Sequence, residues 1–310
     1  MLKRSRIFNN LFNALLIIVL FAPLPYSTAK SVPTEQATND MLLVGKGVFT
    51  FDYRHIKEMK IWYYIPSAVS ESTPILFVMH GVKRNAEEYR NGWIQAAKES
   101  GIILVVPEYS QTQFPKSRSY NLGNMYSGRA KLNPENLWSF NLIEPIFDVI
   151  KTKTGNSSKK YHLFGHSAGA QFAHRYLLYA SYERLGLLMA ANAGWYTTLN
   201  DHVVFPYGLK SSPKNQQQLE RIFTQDVVIM LGELDNDPNA EYLRQTPEAK
   251  AQGAHRFARG KHFFKQAWSI SQQQQWPFNW QLVTVPNVGH NNRGMAQTAA
   301  KLVIDYASKN

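Results

Sequence analysis

Residues 161–179 read YHLFGHSAGAQFAHRYLLY: a short apolar run, a turn of small residues and then a helical segment. The turn at 165–169, GHSAG, matches the G-x-S-x-G pattern, in which a serine projects from a sharp connection between a strand and a helix. The positions that face the strand and the helix must be small, because these two elements approach each other closely there, and Gly165, Ala168 and Gly169 are small enough. Ser167 is therefore the candidate nucleophile. The amide of Ala168, at the start of the helix, is a candidate donor to a developing oxyanion.

The surrounding chain alternates β-rich and helical segments. The predicted strands are 48–51, 59–65, 75–79, 102–106, 161–164, 187–191, 227–231 and 281–285, and the clearest further helices are 86–100 and 138–151. This alternation predicts an α/β fold with a mainly parallel eight-stranded sheet that helices flank on both faces. The first two strands are expected to form an antiparallel pair. In such sheets the active site lies at the carboxyl ends of the strands.

A candidate general base follows the last predicted strand. His290 lies in the loop after residues 281–285, where the carboxyl end of that strand faces the active-site edge. The chain contains nine histidines, so the position in the fold, not the residue type, selects this one. An imidazole at that place can accept the proton of a serine hydroxyl.

Three carboxylates offer a candidate acid after the strand at 227–231, namely Glu233, Asp235 and Asp237. Asp235 is favoured because it lies where the chain leaves the sheet. Asp237 remains an alternative, although it precedes a proline and could equally cap a turn. The two aspartates also resemble the start of a calcium loop, but the glycine and glutamate that complete that pattern do not follow. We expect neither a metal nor a cofactor.

A second oxyanion donor is expected at the end of the strand at 75–79. His80 and Gly81 follow that strand, and the amide of Val82 is the candidate that would act together with Ala168. His80 is a candidate substrate contact, with a simple strand-end histidine as the alternative.

Several aromatic residues are candidates for binding the substrate. Trp195 and Tyr196 follow the strand at 187–191, and both are candidate substrate-binding residues of an apolar pocket. The loop after residues 102–106 contributes further aromatic side chains, at Phe114, Tyr120 and Tyr126. Packing beneath long loops is the alternative role for all of these rings. Residues 201–221 are expected to form a small cap.

Together these features resemble the α/β-hydrolase superfamily, and within it the esterases and poly(3-hydroxyalkanoate) depolymerase-like hydrolases with His-Gly after the third strand. The resemblance covers roughly residues 45–308 and rests on His80-Gly81, 165–169, 232–235 and Gly289-His290. It implies a serine hydrolase that cleaves carboxylic esters through an acyl-enzyme, with Ser167, His290 and Asp235 as the triad. The alternatives are a peptidase or amidase on the same triad, and a non-catalytic exported binding protein.

The chain departs from secreted polymer depolymerases in two respects. It has no cysteine, hence no cysteine pairs, and no appended polymer-binding domain is apparent. A small-molecule or oligomeric ester is therefore the expected substrate.

The N-terminus has the pattern of a signal peptide. Lys3, Arg4 and Arg6 precede an uncharged, largely apolar run at 11–24, and Ser27-Thr28-Ala29 supplies small residues for cleavage. We expect a signal peptide at 1–29 and one catalytic domain at 30–310, in a periplasmic or secreted protein. An uncleaved anchor is the alternative, but a run of 14 residues falls short of the roughly 20 that span a bilayer. No stable membrane anchor is therefore expected after cleavage.

The positive charge does not indicate a nucleic-acid partner. The formal net charge is +12, but the basic residues are scattered along the chain. They form no stripe interleaved with stacking aromatic residues, as single-stranded nucleic acid would require.

Overall fold

The sheet consists of eight strands in the part of the chain that the computed structural model describes, residues 41–128 and 131–309. The strands are β1 (Gly45–Tyr53), β2 (Ile56–Ile65), β3 (Ile75–Met79), β4 (Ile103–Pro107), β5 (Tyr161–His166), β6 (Leu185–Ala191), β7 (Val227–Gly232) and β8 (Trp280–Val285). All eight were predicted, with ends that differ by up to three residues. The predicted signal peptide at 1–29 lies outside the described residues.

The strand order across the sheet is β1-β2-β4-β3-β5-β6-β7-β8. β1 pairs antiparallel with β2, and β2 pairs antiparallel with β4. Every other neighbouring pair is parallel. The predicted mainly parallel sheet is thus confirmed, and the carboxyl ends of its six parallel strands meet at one edge.

Helices cover both faces of this sheet. The longer ones are α1 (Ala86–Ser100), α2 (Ile143–Thr154), α3 (Ala168–Tyr179), α4 (Arg256–Gln274) and α5 (Asn292–Ala307). Side chains of α1 and α5 join one apolar cluster with one set of strand residues, whereas α2, α3 and α4 join the cluster on the opposite face. Because both faces are covered, central strands such as β3 are buried along their whole length.

Shorter elements lie in the connections. They comprise the helices Lys116–Ser119, Glu220–Thr224 and Pro247–Lys250, the 3-10 turns Glu135–Leu137, Ser139–Leu142 and Gln216–Gln218, and a hairpin that pairs Tyr126–Ser127 with Lys131–Leu132.

The helix predicted at 138–151 begins later, at Ile143. Trp138 has an extended backbone, with φ −71° and ψ 131°, so a continuous helix cannot start there. Two 3-10 turns occupy the preceding residues, and Pro145 then falls in the first turn of α2, where its missing N–H costs no hydrogen bond.

Residues 201–221, predicted as a small cap, form turns that pack beside the sheet. The Tyr207 ring lies 4.6 Å from the Trp195 ring, and the Phe205 ring lies 5.1 Å from the Tyr126 ring. None of residues 201–221 lines the cavity that contains Ser167, so this segment does not cap that cavity.

None of the described helices combines the length and apolar character that crossing a membrane requires.

Trp93 connects α1 with α5 across the sheet face that both helices cover. Its indole N–H donates to the Asn292 side-chain oxygen at 2.9 Å, and its ring lies 4.6 Å from that of Phe164 in β5. The side chain is fully buried. It therefore couples two helices that are far apart in the sequence.

We expect Trp93→Phe to lower the free energy of unfolding by about 2 kcal/mol, through a lost hydrogen bond and a partly unfilled cavity. Trp268→Phe is the matched control, because Trp268 is about half exposed and should change stability by less than about 0.5 kcal/mol. Urea unfolding measures both variants. Equal destabilisation by the two substitutions would contradict the role given to Trp93.

Candidate active site

Ser167 stands at the connection between β5 and α3 with a positive φ of 58° and a ψ of −114°. Such a conformation strains a non-glycine residue by about 1–3 kcal/mol. The turn closes only because Gly165 and Gly169, two positions before and after the serine, lack side chains. A Cβ on Gly165 would lie 2.1 Å from the Gly169 carbonyl oxygen, and a Cβ on Gly169 would lie 2.0 Å from the Met79 carbonyl oxygen.

Ser167, His290 and Asp235 form a continuous chain of hydrogen bonds. The Ser167 Oγ lies 3.0 Å from His290 Nε2, and His290 Nδ1 lies 2.8 Å from Asp235 Oδ2. A carboxylate can only accept, so Nδ1 carries the ring proton and leaves Nε2 free to accept the serine hydroxyl. The Asp235 side chain is buried, whereas His290 is partly open to solvent.

The other two carboxylates considered for the acid lie elsewhere. Asp237 is exposed, and its side chain accepts the Asn239 amide at 2.8 Å, as in a turn-capping role. Glu233 is also exposed and accepts the Thr284 hydroxyl. Of the three candidates, the structure brings only Asp235 to His290.

Asn192 joins the loops that carry Asp235 and His290. It lies just after β6 and is fully buried. Its side-chain oxygen accepts the Gly232 amide at 2.8 Å, and its side-chain nitrogen donates to the Gly289 carbonyl at 3.1 Å. One carboxamide therefore sets the distance between the loop that begins at Gly232 and the residue before His290. Sequence reasoning missed this residue.

The two predicted oxyanion donors belong to segments that meet at Ser167. A Cβ on Gly81 would lie 3.8 Å from the Ser167 Cβ, and Val82 lines the same cavity as the serine. Ala168 is the first residue of α3, so its amide has no acceptor inside the helix.

His80 is buried beneath the cavity, not in its wall. Its Nε2 accepts the Tyr109 amide at 3.1 Å, so Nδ1 carries the proton and donates to the Gly81 carbonyl at 3.1 Å. Burial lowers the pKa of His80 to about 3, which keeps the ring neutral. Both ring nitrogens thus hold backbone groups, and the predicted substrate contact gains no support.

No protein-family model and no curated protein matches the sequence. Among solved structures, the chain is similar to poly(aspartic acid) hydrolase-1 from Sphingomonas sp. KT-1, at 41% identity and a TM-score of 0.81, over 84% of this chain and 99% of that one. It is also similar to LpqC, a poly(3-hydroxybutyrate) depolymerase from Bordetella parapertussis, at 30% identity and a TM-score of 0.79, over 85% and 91%. The chain belongs to the family of α/β-hydrolases that includes these two enzymes. The predicted fold and the resemblance to depolymerase-like and esterase hydrolases are confirmed.

The same fold extends to more distant proteins. An S-formylglutathione hydrolase from Agrobacterium tumefaciens is 15% identical, with a TM-score of 0.56 over 84% of this chain and 95% of that one. At this level of identity the likeness concerns the fold alone.

The cavity of this hydrolase at Ser167 and His290 has a volume of about 770 Å³. Its wall includes residues of the segments 81–92, 240–242 and 291–293, together with Arg256. The charged side chains in the wall have both signs: Lys83, Glu88, Glu241, Arg256 and Arg293. The wall is therefore more polar than the apolar pocket that we predicted from the aromatic residues in the sequence.

Trp195 and Tyr196 pack inside the hydrolase and are not part of the cavity wall. The Tyr196 ring stacks on Phe263 of α4 at 4.4 Å, and Trp195 lies under the Arg175 guanidinium at 4.2 Å. The position of both residues after β6 was compatible with a substrate-binding role as well as with packing in the core. Their contacts are those of core residues.

His166 packs directly on His290, which sequence reasoning did not anticipate. The two ring centroids are 4.6 Å apart, and His166 Nδ1 lies 3.0 Å from the Tyr89 hydroxyl. Burial, with smaller contributions from His290 and Arg256, lowers the pKa of His166 well below its usual value. The ring is therefore neutral and supports one face of His290 without competing for a proton.

We expect Asn192→Ala to lower kcat/KM for an activated ester about tenfold or more and to lower the free energy of unfolding by about 2 kcal/mol. The Gly232 amide and the Gly289 carbonyl would lose their partner. The distance between the loops that carry Asp235 and His290 would then no longer be fixed. Asn236→Ala is the control, because Asn236 is exposed in the same loop and bonds only within it. Equal kinetics for wild type and Asn192→Ala would refute this role.

Proposed function

We propose that this chain hydrolyses carboxylic esters through a covalent acyl-enzyme, with Ser167 as nucleophile, His290 as general base and Asp235 as the orienting acid. One observation carries the proposal: the Ser167 hydroxyl, the His290 ring and the Asp235 carboxylate are linked by hydrogen bonds of 3.0 Å and 2.8 Å. This is the geometry that the chemistry of serine hydrolases requires.

Acylation begins when the Ser167 Oγ attacks the ester carbonyl and its proton passes to His290 Nε2. The carbonyl electrons move to oxygen, and the amides of Val82 and Ala168 are the proposed donors to that oxyanion. A single donor of this kind typically contributes about 2.7–4 kcal/mol to the transition state. The Asp235 carboxylate stabilises the imidazolium, which then protonates the departing alkoxide.

Deacylation repeats these steps with water as the nucleophile. His290 removes a proton from water as the oxygen attacks the acyl carbon. The second tetrahedral intermediate collapses, releases the carboxylic acid and returns the proton to Ser167. No metal or cofactor enters either half of the reaction.

The size of the substrate is less restricted than the sequence suggested. The sequence favoured a small or oligomeric ester. However, the chain covers 99% of poly(aspartic acid) hydrolase-1 and 91% of the poly(3-hydroxybutyrate) depolymerase LpqC, and both of these relatives are named for a polymer. We therefore include oligomeric and polymeric esters with small-molecule esters in the proposed substrate range.

Amide hydrolysis is the second candidate function. The observation that favours it is the 41% identity to a poly(aspartic acid) hydrolase, since poly(aspartic acid) is held together by amide bonds. An amide requires the same nucleophile and oxyanion donors, but its poorer leaving group must be protonated by His290 before it departs.

We propose the location of the protein in or outside the cell from the pattern of its N-terminal sequence. Basic residues, an apolar run and small residues at 27–29 support cleavage before Lys30 and export to the periplasm or the medium. The absence of a stable membrane anchor after cleavage is part of the same proposal.

A substrate panel tests this proposal. Purified protein without residues 1–29 should hydrolyse p-nitrophenyl butyrate and a 3-hydroxybutyrate oligomer, and Ser167→Ala should lower kcat by at least about 10⁴-fold without a change in the unfolding midpoint. Poly(aspartic acid) cleavage, followed by size-exclusion chromatography, is the amide arm. Cleavage of poly(aspartic acid) without ester turnover would replace the first candidate with the second, and an active Ser167→Ala would contradict both.

The acid is tested by two matched substitutions in one loop. We expect Asp235→Asn to lower kcat by about 10³–10⁴-fold, because an amide facing His290 favours the wrong ring tautomer. Asp237→Asn should retain activity within about twofold, because Asp237 is exposed and bonds only to its own turn. Steady-state kinetics on one ester measures both. The reverse order of losses would transfer the role to Asp237.

A further inference from the structure

The Asp235 carboxylate has a second partner. Its Oδ2 faces His290 at 2.8 Å, and its Oδ1 lies 3.3 Å from the Nη1 of Arg256. The Asp235 and Arg256 side chains are each only 3% exposed. The carboxylate that faces the base is thus shared between a titratable ring and a permanent cation.

The fold holds Arg256 at this position. It is the first residue of α4, and the next amide, that of Phe257, donates to the Asp235 backbone carbonyl at 3.1 Å. The Arg256 Nη2 donates to the Glu241 carbonyl at 2.8 Å. The guanidinium therefore links the start of α4, the Asp235 loop and a segment of the cavity wall. Because its N–H groups lie in one plane in fixed directions, it can donate to Asp235 and to the Glu241 carbonyl at the same time.

The positive charge of Arg256 changes the electrostatic environment of His290. The groups that face its ring are the Asp235 carboxylate, the Ser167 hydroxyl and the neutral His166 ring. A lone carboxylate strongly favours the protonated imidazolium, and an imidazolium cannot accept the Ser167 proton. The Arg256 charge beside Asp235 offsets part of that attraction while leaving the carboxylate in place to orient the ring.

We propose that Arg256 is a positioning residue for the reaction: it fixes the Asp235 carboxylate toward His290 and partly compensates its negative charge. This inference rests on the proposed function, because it requires His290 to act as the base. Arg256 acts through Asp235 and need not contact the substrate.

The pH profile of kcat/KM tests the inference, because a merely structural residue would not move its midpoint. In Arg256→Met the rising limb should shift upward by about 0.5–1 pH unit, since the uncompensated carboxylate holds the His290 proton more strongly. At pH 7 kcat/KM should fall about tenfold. Arg256→Lys keeps the charge but not the fork, so its midpoint should stay within about 0.2 unit of wild type while kcat falls.

Arg259→Met is the matched control. Arg259 is equally buried on the same helix, but its fork donates to the Gly253 and Gly194 carbonyls and not to Asp235. Its substitution should leave the midpoint unchanged, whatever it does to stability. Arg256→Gln serves as a second neutral variant, which should shift the midpoint in the same direction as Arg256→Met.

An unchanged or lowered midpoint in a folded neutral variant would overturn the inference. Loss of the fold in both neutral variants, judged by circular dichroism, would also overturn it, because Arg256 would then act in stability and not in the reaction. Failure of the proposed function is a separate result, seen as ester hydrolysis that survives Ser167→Ala. The inference fails alone when Ser167→Ala is inactive and the midpoint does not move.

Discussion

A carboxylate buried in the protein interior loses its hydration, and this cost must be met by hydrogen bonds and opposite charge. Asp235 is that carboxylate. Its two oxygens face His290 and Arg256, and its backbone carbonyl accepts the amide of Phe257, the second residue of α4. The geometry at Ser167 depends on this arrangement, because the ring that faces the serine is oriented from behind by the same carboxylate. A protein that left Asp235 unpaired would lose both stability and the alignment of the His290 ring.

The parallel sheet brings the partners together from distant parts of the chain. β5, β6, β7 and β8 are consecutive neighbours, so the residues after each strand meet at one edge. The serine follows β5, Asn192 follows β6, Asp235 follows β7 and His290 follows β8. Asn192 then fixes the spacing between the last two loops with two hydrogen bonds. The fold thus supplies the proximity, and a few buried polar contacts set the distances.

The sequence predicted the parts of this arrangement that local rules determine. The turn at 165–169 needs small residues for steric reasons, and the strands are short apolar runs, so both could be identified without a structure. The positions of Asp235 and His290 followed from the strand order of the fold. Arg256 and Asn192 carry no such local pattern, because their roles arise from contacts between segments far apart in the chain.

Side-chain burial was the harder part to predict. Trp195 follows a strand at the active-site edge, as a binding residue would, yet it packs beneath a guanidinium in the interior. Whether an aromatic residue after a strand points into a cavity or into the core depends on the elements that cover it. The same limit applies to His80, whose two ring nitrogens hold backbone groups that no sequence pattern reveals.

Ser167 is the proposed nucleophile, and His290 is proposed to activate it. The most direct measurement is to treat the wild-type protein with a fluorophosphonate, digest it and locate the phosphonyl group by mass spectrometry. We expect one equivalent of label on the peptide that contains 165–169, attached to Ser167, together with complete loss of ester hydrolysis. Label on another residue, or full hydrolysis after stoichiometric labelling of Ser167, would contradict this expectation.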